Sequence, residues 1–144
     1  MVNFFRHFII LYLFSTIISS EYATALTDET KSTLRQLSYC TSLTLIEASW
    51  SEQKGFLSTA NTLRQSVVVF TKVVHDYGIQ KGLSDLDIEE LNQQMASKIR
   101  TEAESSMFFD GPTLNKKNEN CLDLIKNDSQ LLTIWKTHSN GVIK

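Results

Sequence analysis

Residues 27–50 read TDETKSTLRQLSYCTSLTLIEASW. Leu34, Leu37, Cys40, Thr41, Thr44, Leu45 and Ala48 fall at steps of three and four, the spacing that brings side chains to one face of an α-helix. Thr27 or Asp28 can cap the start, and Asp28 and Glu29 sit where a helix dipole favours negative charge. The stretch predicts a long helix that ends near Trp50 and carries a cysteine on its inner face.

The same period continues along the chain. Gly55 interrupts it. A second helix is expected through Phe56, Ala60, Leu63, Val67, Val68, Thr71 and Val74, ending near Gly78, although Val67-Val68-Val69-Phe70 is β-prone. Residues 78–82 then read as a connector. Ser84 is a good N-cap for a third helix with Ile88, Leu91, Met95, Ile99 and Ala103 inward. Asp110-Gly111-Pro112 is a breaker. A fourth helix is predicted from Thr113, with Leu114, Cys121, Leu122 and Ile125 on its core face. Asn127-Asp128-Ser129 restarts a short fifth helix through Leu131, Leu132, Ile134 and Trp135, and Asn140-Gly141 ends it. The expected fold is all-α, a single small bundle of four to five helices.

Upstream of this pattern the character changes. Arg6 is the only charge before a run at residues 8–18 that is apolar apart from Ser15 and Thr16. Ala23-Thr24-Ala25 follows. A charged start, an apolar run and an A-x-A site of small residues read as a cleavable secretory signal over residues 1–25, with a helical domain at 26–144. About 11 apolar residues would span roughly 16 Å as a helix, short of a hydrocarbon core of about 30 Å, so no stable membrane span is expected after cleavage. Export, to a periplasm or beyond the cell, places the cysteines in an oxidising compartment.

The chain has 144 residues, with one Pro and five Gly. Removing Arg6 and Glu21 from its 14 basic and 16 acidic residues leaves 13 and 15, interspersed. Nothing resembles a basic stripe that could follow phosphates, which argues against a nucleic-acid partner. The adjacent pair Lys116-Lys117 reads as a solvated face. Cys40 and Cys121 are the only cysteines. In an exported protein an even pair is most simply one disulfide, here tying the first helix to the fourth. Two buried free thiols are the alternative, and a redox or nucleophilic role is a further one.

Catalytic and metal signatures are sparse. His75 and His138 do not pair with each other or with a cysteine at metal-ligand spacing, so no metal or cofactor is expected. Asp85, Asp87, Glu89 and Glu90 crowd one turn, but lack an EF-hand's central Gly and closing Glu and fit a helix start better. There is no G-x-S-x-G elbow, phosphate cradle or dinucleotide fingerprint, so no catalytic residue is assigned. The aromatic residues are more suggestive. Trp50 ends the first helix, and Met107-Phe108-Phe109 precedes the breaker inside residues 105–115, the longest stretch without helical signal. Both are candidate anchors for a protein partner. Asn127-Asp128-Ser129 also matches the glycosylation sequon.

Tyr39-Cys40 on an early helix, and Cys121-Leu122-Asp123-Leu124 before a short Leu-containing helix, resemble small exported one-disulfide helical bacterial proteins such as the type VI secretion amidase immunity proteins. That resemblance implies a periplasmic module that occludes a cell-wall-cutting toxin, and it supplies no binding residue. Acid-stress periplasmic chaperones share the ingredients but have closer cysteines. The expected function is binding to another exported protein, as an inhibitor or immunity-type module. A secreted effector of a host-associated bacterium, or a small enzyme or ligand carrier, is the alternative.

Overall fold

The computed structural model describes residues 26–105 and 108–139. The expected signal at 1–25, Met107 and the Asn140-Gly141 terminator lie outside these residues. Five helices follow one another: α1 (Asp28–Gln53), α2 (Leu57–Gln80), α3 (Asp85–Ala103), α4 (Gly111–Asn127) and α5 (Ser129–His138), with no strand among the described residues.

Local chemistry sets most boundaries. The Thr27 hydroxyl accepts from the Thr30 N–H at 3.1 Å and opens α1. Ser84 and Asp87 form a reciprocal capping box at the start of α3, each side chain accepting from the other's N–H. Asp128 accepts from the N–H groups of Gln130 and Leu131 and opens α5. Pro112 occupies the first turn of α4, where no backbone donor is needed.

Two glycines stop α1 and α2 in the same way. Gly55 and Gly82 have φ of 83° and 88°, in the left-handed region. Around each, paired backbone bonds close the helix end: Phe56 N–H to Ser51 O and Gly55 N–H to Glu52 O, then Leu83 N–H to Gly78 O and Gly82 N–H to Ile79 O. This is the Schellman arrangement, and it favours glycine because a Cβ disfavours left-handed backbone.

α1 is the central helix, and α2, α3 and α4 all pack on it. α2 runs back antiparallel to α1. α3 parallels α1: Ile88, early in α3, faces Gly78 and Leu34, whereas Phe109, beyond its end, meets Trp50. α4 returns antiparallel, with Asn118 on Glu47 and Cys121 on Cys40. α5 folds back over α2, where Trp135 meets Phe70 edge to face at 4.8 Å. One core cluster joins all five helices.

The disulfide is present. Cys40 and Cys121 are bonded, 5.7 Å apart at Cα, and both are buried.

Three readings of the sequence need correction. Three helices surround α1, so Leu43 and Ser38 are buried off the predicted stripe, while Leu45 on that stripe is 49% exposed. The inner face of α2 is turned by about one residue from the prediction: Phe70, Val73 and Tyr77 are inside, while Phe56 and Val68 are 56% and 55% exposed. A run of four adjacent apolar residues let either face look inward. Finally, the connector expected at 78–82 is shorter, because α2 runs to Gln80, two residues past Gly78. Gly78 is a packing position, because a Cβ there would lie 2.7 Å from Ile88 Cδ1. The β-prone run at 67–70 is helical, since its flanks supply the helical period.

Candidate functional site: a cationic cleft beside stacked aromatics

α3 and α4 both lie on α1, but their backbones do not pack on each other. The gap between them is a cleft of about 570 Å³, within the range of small-ligand sites. α1 lines it with Ser32, Arg35, Gln36, Tyr39 and Cys40, α3 with Met95 and Lys98, and α4 with Lys117, Asn120, Cys121 and Leu124. The buried disulfide therefore forms part of its lining.

A small polar network closes one side. The Tyr39 hydroxyl donates to Glu102 Oε2 at 2.7 Å, and the Lys117 ammonium donates to that hydroxyl at 2.6 Å and to Glu102 Oε2 at 2.8 Å. Burial works against the Lys117 charge, but its bonds to Glu102 and Tyr39 outweigh that and raise its pKa. Burial likewise pushes Glu102 upward, and hydrogen bonds from Lys117 and Tyr39 reverse this to hold the carboxyl below its usual value. Burial raises the Tyr39 phenol, so it stays a neutral donor at physiological pH. Lys117 thus departs from the solvated reading of Lys116-Lys117: Lys116 is exposed, and Lys117 is drawn half-buried into the cleft.

Lys98 and Lys117 reach over the Tyr39 ring from different helices, at 5.7 and 5.4 Å from its centroid. Lys98 and Arg35 are exposed, and among the described residues neither has a carboxylate at ion-pair distance. The cleft is therefore cationic: Lys117 is paired directly with Glu102, Lys98 acts on the same carboxylate at longer range, and Arg35 has no carboxylate partner among the described residues.

The aromatic candidates adjoin it. Trp50 and Phe109 stack at 5.1 Å and nearly parallel, and Phe108 meets Phe109 edge to face at 4.9 Å. Phe108 is buried and takes the Lys117 ammonium over its ring at 5.2 Å, which links the stack to the cleft. Trp50 and Phe109 are half-buried. The structure thus brings together two segments that the sequence offered separately. It also shortens the expected 105–115 loop, because α4 begins at Gly111.

The histidines form a chain rather than a metal site. His138 Nε2 lies 2.7 Å from Asp76 Oδ2, Asp76 Oδ1 lies 3.2 Å from His75 Nδ1, and His75 Nε2 lies 3.1 Å from Asp85 Oδ1. Hydrogen bonds to His138 and then His75 hold Asp76 below its usual value, and Asp76, then Asp85, raise His75. This chain ties α5 and the start of α3 to the end of α2. Of the acidic turn, Asp85 is thus paired, Asp87 caps α3, and Glu89 and Glu90 accept from the Gln93 and Gln94 amides. Among the described residues no group of three or more His, Cys, Asp or Glu side chains is arranged to hold a metal ion.

Arg35, Lys98 and Glu102 were not singled out from sequence. Lys98 and Glu102 stand one turn apart on α3 and Arg35 stands on α1; each reads from sequence as ordinary solvated charge, and only the packing of α3 and α4 on α1 sets them around one cleft. No helix among the described residues is long and apolar enough to cross a membrane. Comparison of the chain with known protein families, curated proteins and solved structures finds no match.

Proposed function

We propose that this protein is exported and acts by binding another exported protein, as an inhibitor or immunity-type module, with Trp50 and Phe109 as the contact and Phe108 as their buried support. The observation that carries this reading is the parallel Trp50–Phe109 stack. Large, rigid aromatic surfaces held in place by packing are the commonest anchors of protein interfaces, because they bury much area and lose little conformational freedom. A disulfide-tied helical scaffold suits such a role outside the cytoplasm.

The test begins with the protein recovered from its native host. Intact mass should show loss of about 25 residues and, relative to the reduced form, a deficit of about 2 Da for the disulfide. Wild-type protein and the Phe109→Ala variant are then used to isolate partners from the exported fraction, and the recovered partner is purified for a direct titration. The expected result is a single partner whose affinity falls at least about tenfold in Phe109→Ala, with no change in melting temperature beyond a few degrees. Full-length chain retained in the cytoplasm, or unchanged affinity in the variant, refutes the reading.

A further inference from the structure

We infer that the cleft between α1, α3 and α4 is a binding site for a carboxylate that carries a short apolar body. The inference is independent of the aromatic contact proposed above.

Charged and apolar side chains both line the cleft. Arg35 and Lys98 bring two positive charges to it from different helices, with no protein carboxylate at ion-pair distance among the described residues. Lys117, the third, is already held by Glu102 and Tyr39. Its ammonium spends its charge on that network, which braces the Tyr39 ring between α3 and α4. An anion entering the cleft therefore meets Arg35 as its open partner, with Lys98 adding a second positive charge that Glu102, one turn along α3, offsets only in part; Arg35 offers the planar fork that matches a carboxylate. Met95 and Leu124, from α3 and α4, supply apolar lining beside the disulfide. A volume of about 570 Å³ admits a small molecule, and it also admits the last residue or an acidic side chain of a peptide. Both present the same group: one carboxylate on a short apolar stem.

The alternatives on this molecule carry less. The His138–Asp76–His75–Asp85 chain is satisfied within itself and holds helices together. The exposed Phe56-Leu57 pair and the exposed Leu86 have no second observation that says what would cover them.

The experiment uses isotope-labelled, disulfide-bonded protein and follows its backbone amide signals by NMR. Octanoate is titrated, with octanamide as the neutral analogue and inorganic phosphate as the anion without an apolar body. A blocked Ala-Leu dipeptide with a free C-terminal carboxylate represents the peptide source. Octanoate or the dipeptide should saturate with a Kd of about 1 mM or tighter and shift signals of residues lining the cleft. The stronger of the two identifies the source. Octanamide and phosphate should each bind at least about fivefold more weakly, and Arg35→Met or Lys98→Met should weaken the better ligand by about fivefold while leaving the melting temperature unchanged. Failure of both carboxylates to saturate overturns the inference. So does equal binding of octanamide or phosphate, or unchanged affinity in both variants. None of these outcomes bears on the Phe109→Ala result.

Discussion

Breaking the Cys40–Cys121 bond should destabilise the protein by an amount set mainly by the chain it encloses. The two residues are 81 apart in sequence, and closing a loop of that length removes about 4.5 kcal/mol of denatured-state entropy at 25 °C on the chain-entropy account. Unfolding entropy near the midpoint is about 2.1 cal/mol/K per residue, or about 0.23 kcal/mol/K over the ~110 described residues, so the melting temperature should fall by about 20 °C. The assay is far-ultraviolet circular dichroism at near-neutral pH on oxidised wild type, reduced wild type and the double variant Cys40→Ala/Cys121→Ala. The double variant loses two buried sulfurs as well, and should melt slightly below the reduced protein. Trp135 against Phe70 and Trp50 against Phe109 give two fluorescence reporters, one on α5 and one beside α4. Coincident transitions at the lower temperature are expected. A fall of less than ~5 °C would refute the loop-entropy reasoning, since the constraint would then be worth a quarter or less of its expected value. A separate early loss of part of the helix signal would show α4 and α5 detaching on their own, and would refute the single cooperative core.

Three further outcomes are expected. Gly78→Ala should cost about 1–2 kcal/mol by urea denaturation, despite the helix propensity it gains, because the new Cβ meets both Cδ1 and Cγ1 of Ile88; in an Ile88→Ala background, which removes both atoms, the same change should cost much less. Asp76→Asn should destabilise most between about pH 4 and 6.5. The Asp76 contribution is present above its ordinary value and lost as pH falls through its lowered folded one, while the His75 contribution is present below its ordinary value and lost as pH rises through its raised one; a pH-independent difference in melting temperature would count against the ion pairs. Lys117→Met should cost about 1 kcal/mol by leaving Glu102 half-buried without its cation, and Glu102→Gln in that background should recover part of it in a double-mutant cycle.

Much of the fold was legible because its signals are local. Ser84, Asp128 and Thr27 announce helix starts through their own side chains, and Gly55 and Gly82 mark ends where the backbone turns left-handed. The disulfide followed from there being two cysteines and an inferred compartment. The errors share one cause, which is that position on a helix does not say how many neighbours surround it. Leu43 and Ser38 are buried because α1 is wrapped by three helices, and the face of α2 could not be chosen among Val67, Val68, Val69 and Phe70 without its partner. Gly78 reads as a breaker until Ile88 is seen above it. Among candidate contact residues, Trp50 and Phe109 were legible as aromatics near helix ends, but their stacking was not, and the cleft was invisible because its charges come from three separate helices.

The long separation between Cys40 and Cys121 also shapes how the chain reaches this state. The α1–α2 and α4–α5 pairs join sequence neighbours and can form early, whereas the meeting of α1 with α4 closes the widest span and belongs to a slower, later stage. Because the chain has two cysteines, only one intramolecular pairing exists, and oxidation cannot trap a scrambled isomer. The bond that locks α4 onto α1 therefore needs an oxidant to make it but no isomerase to correct it.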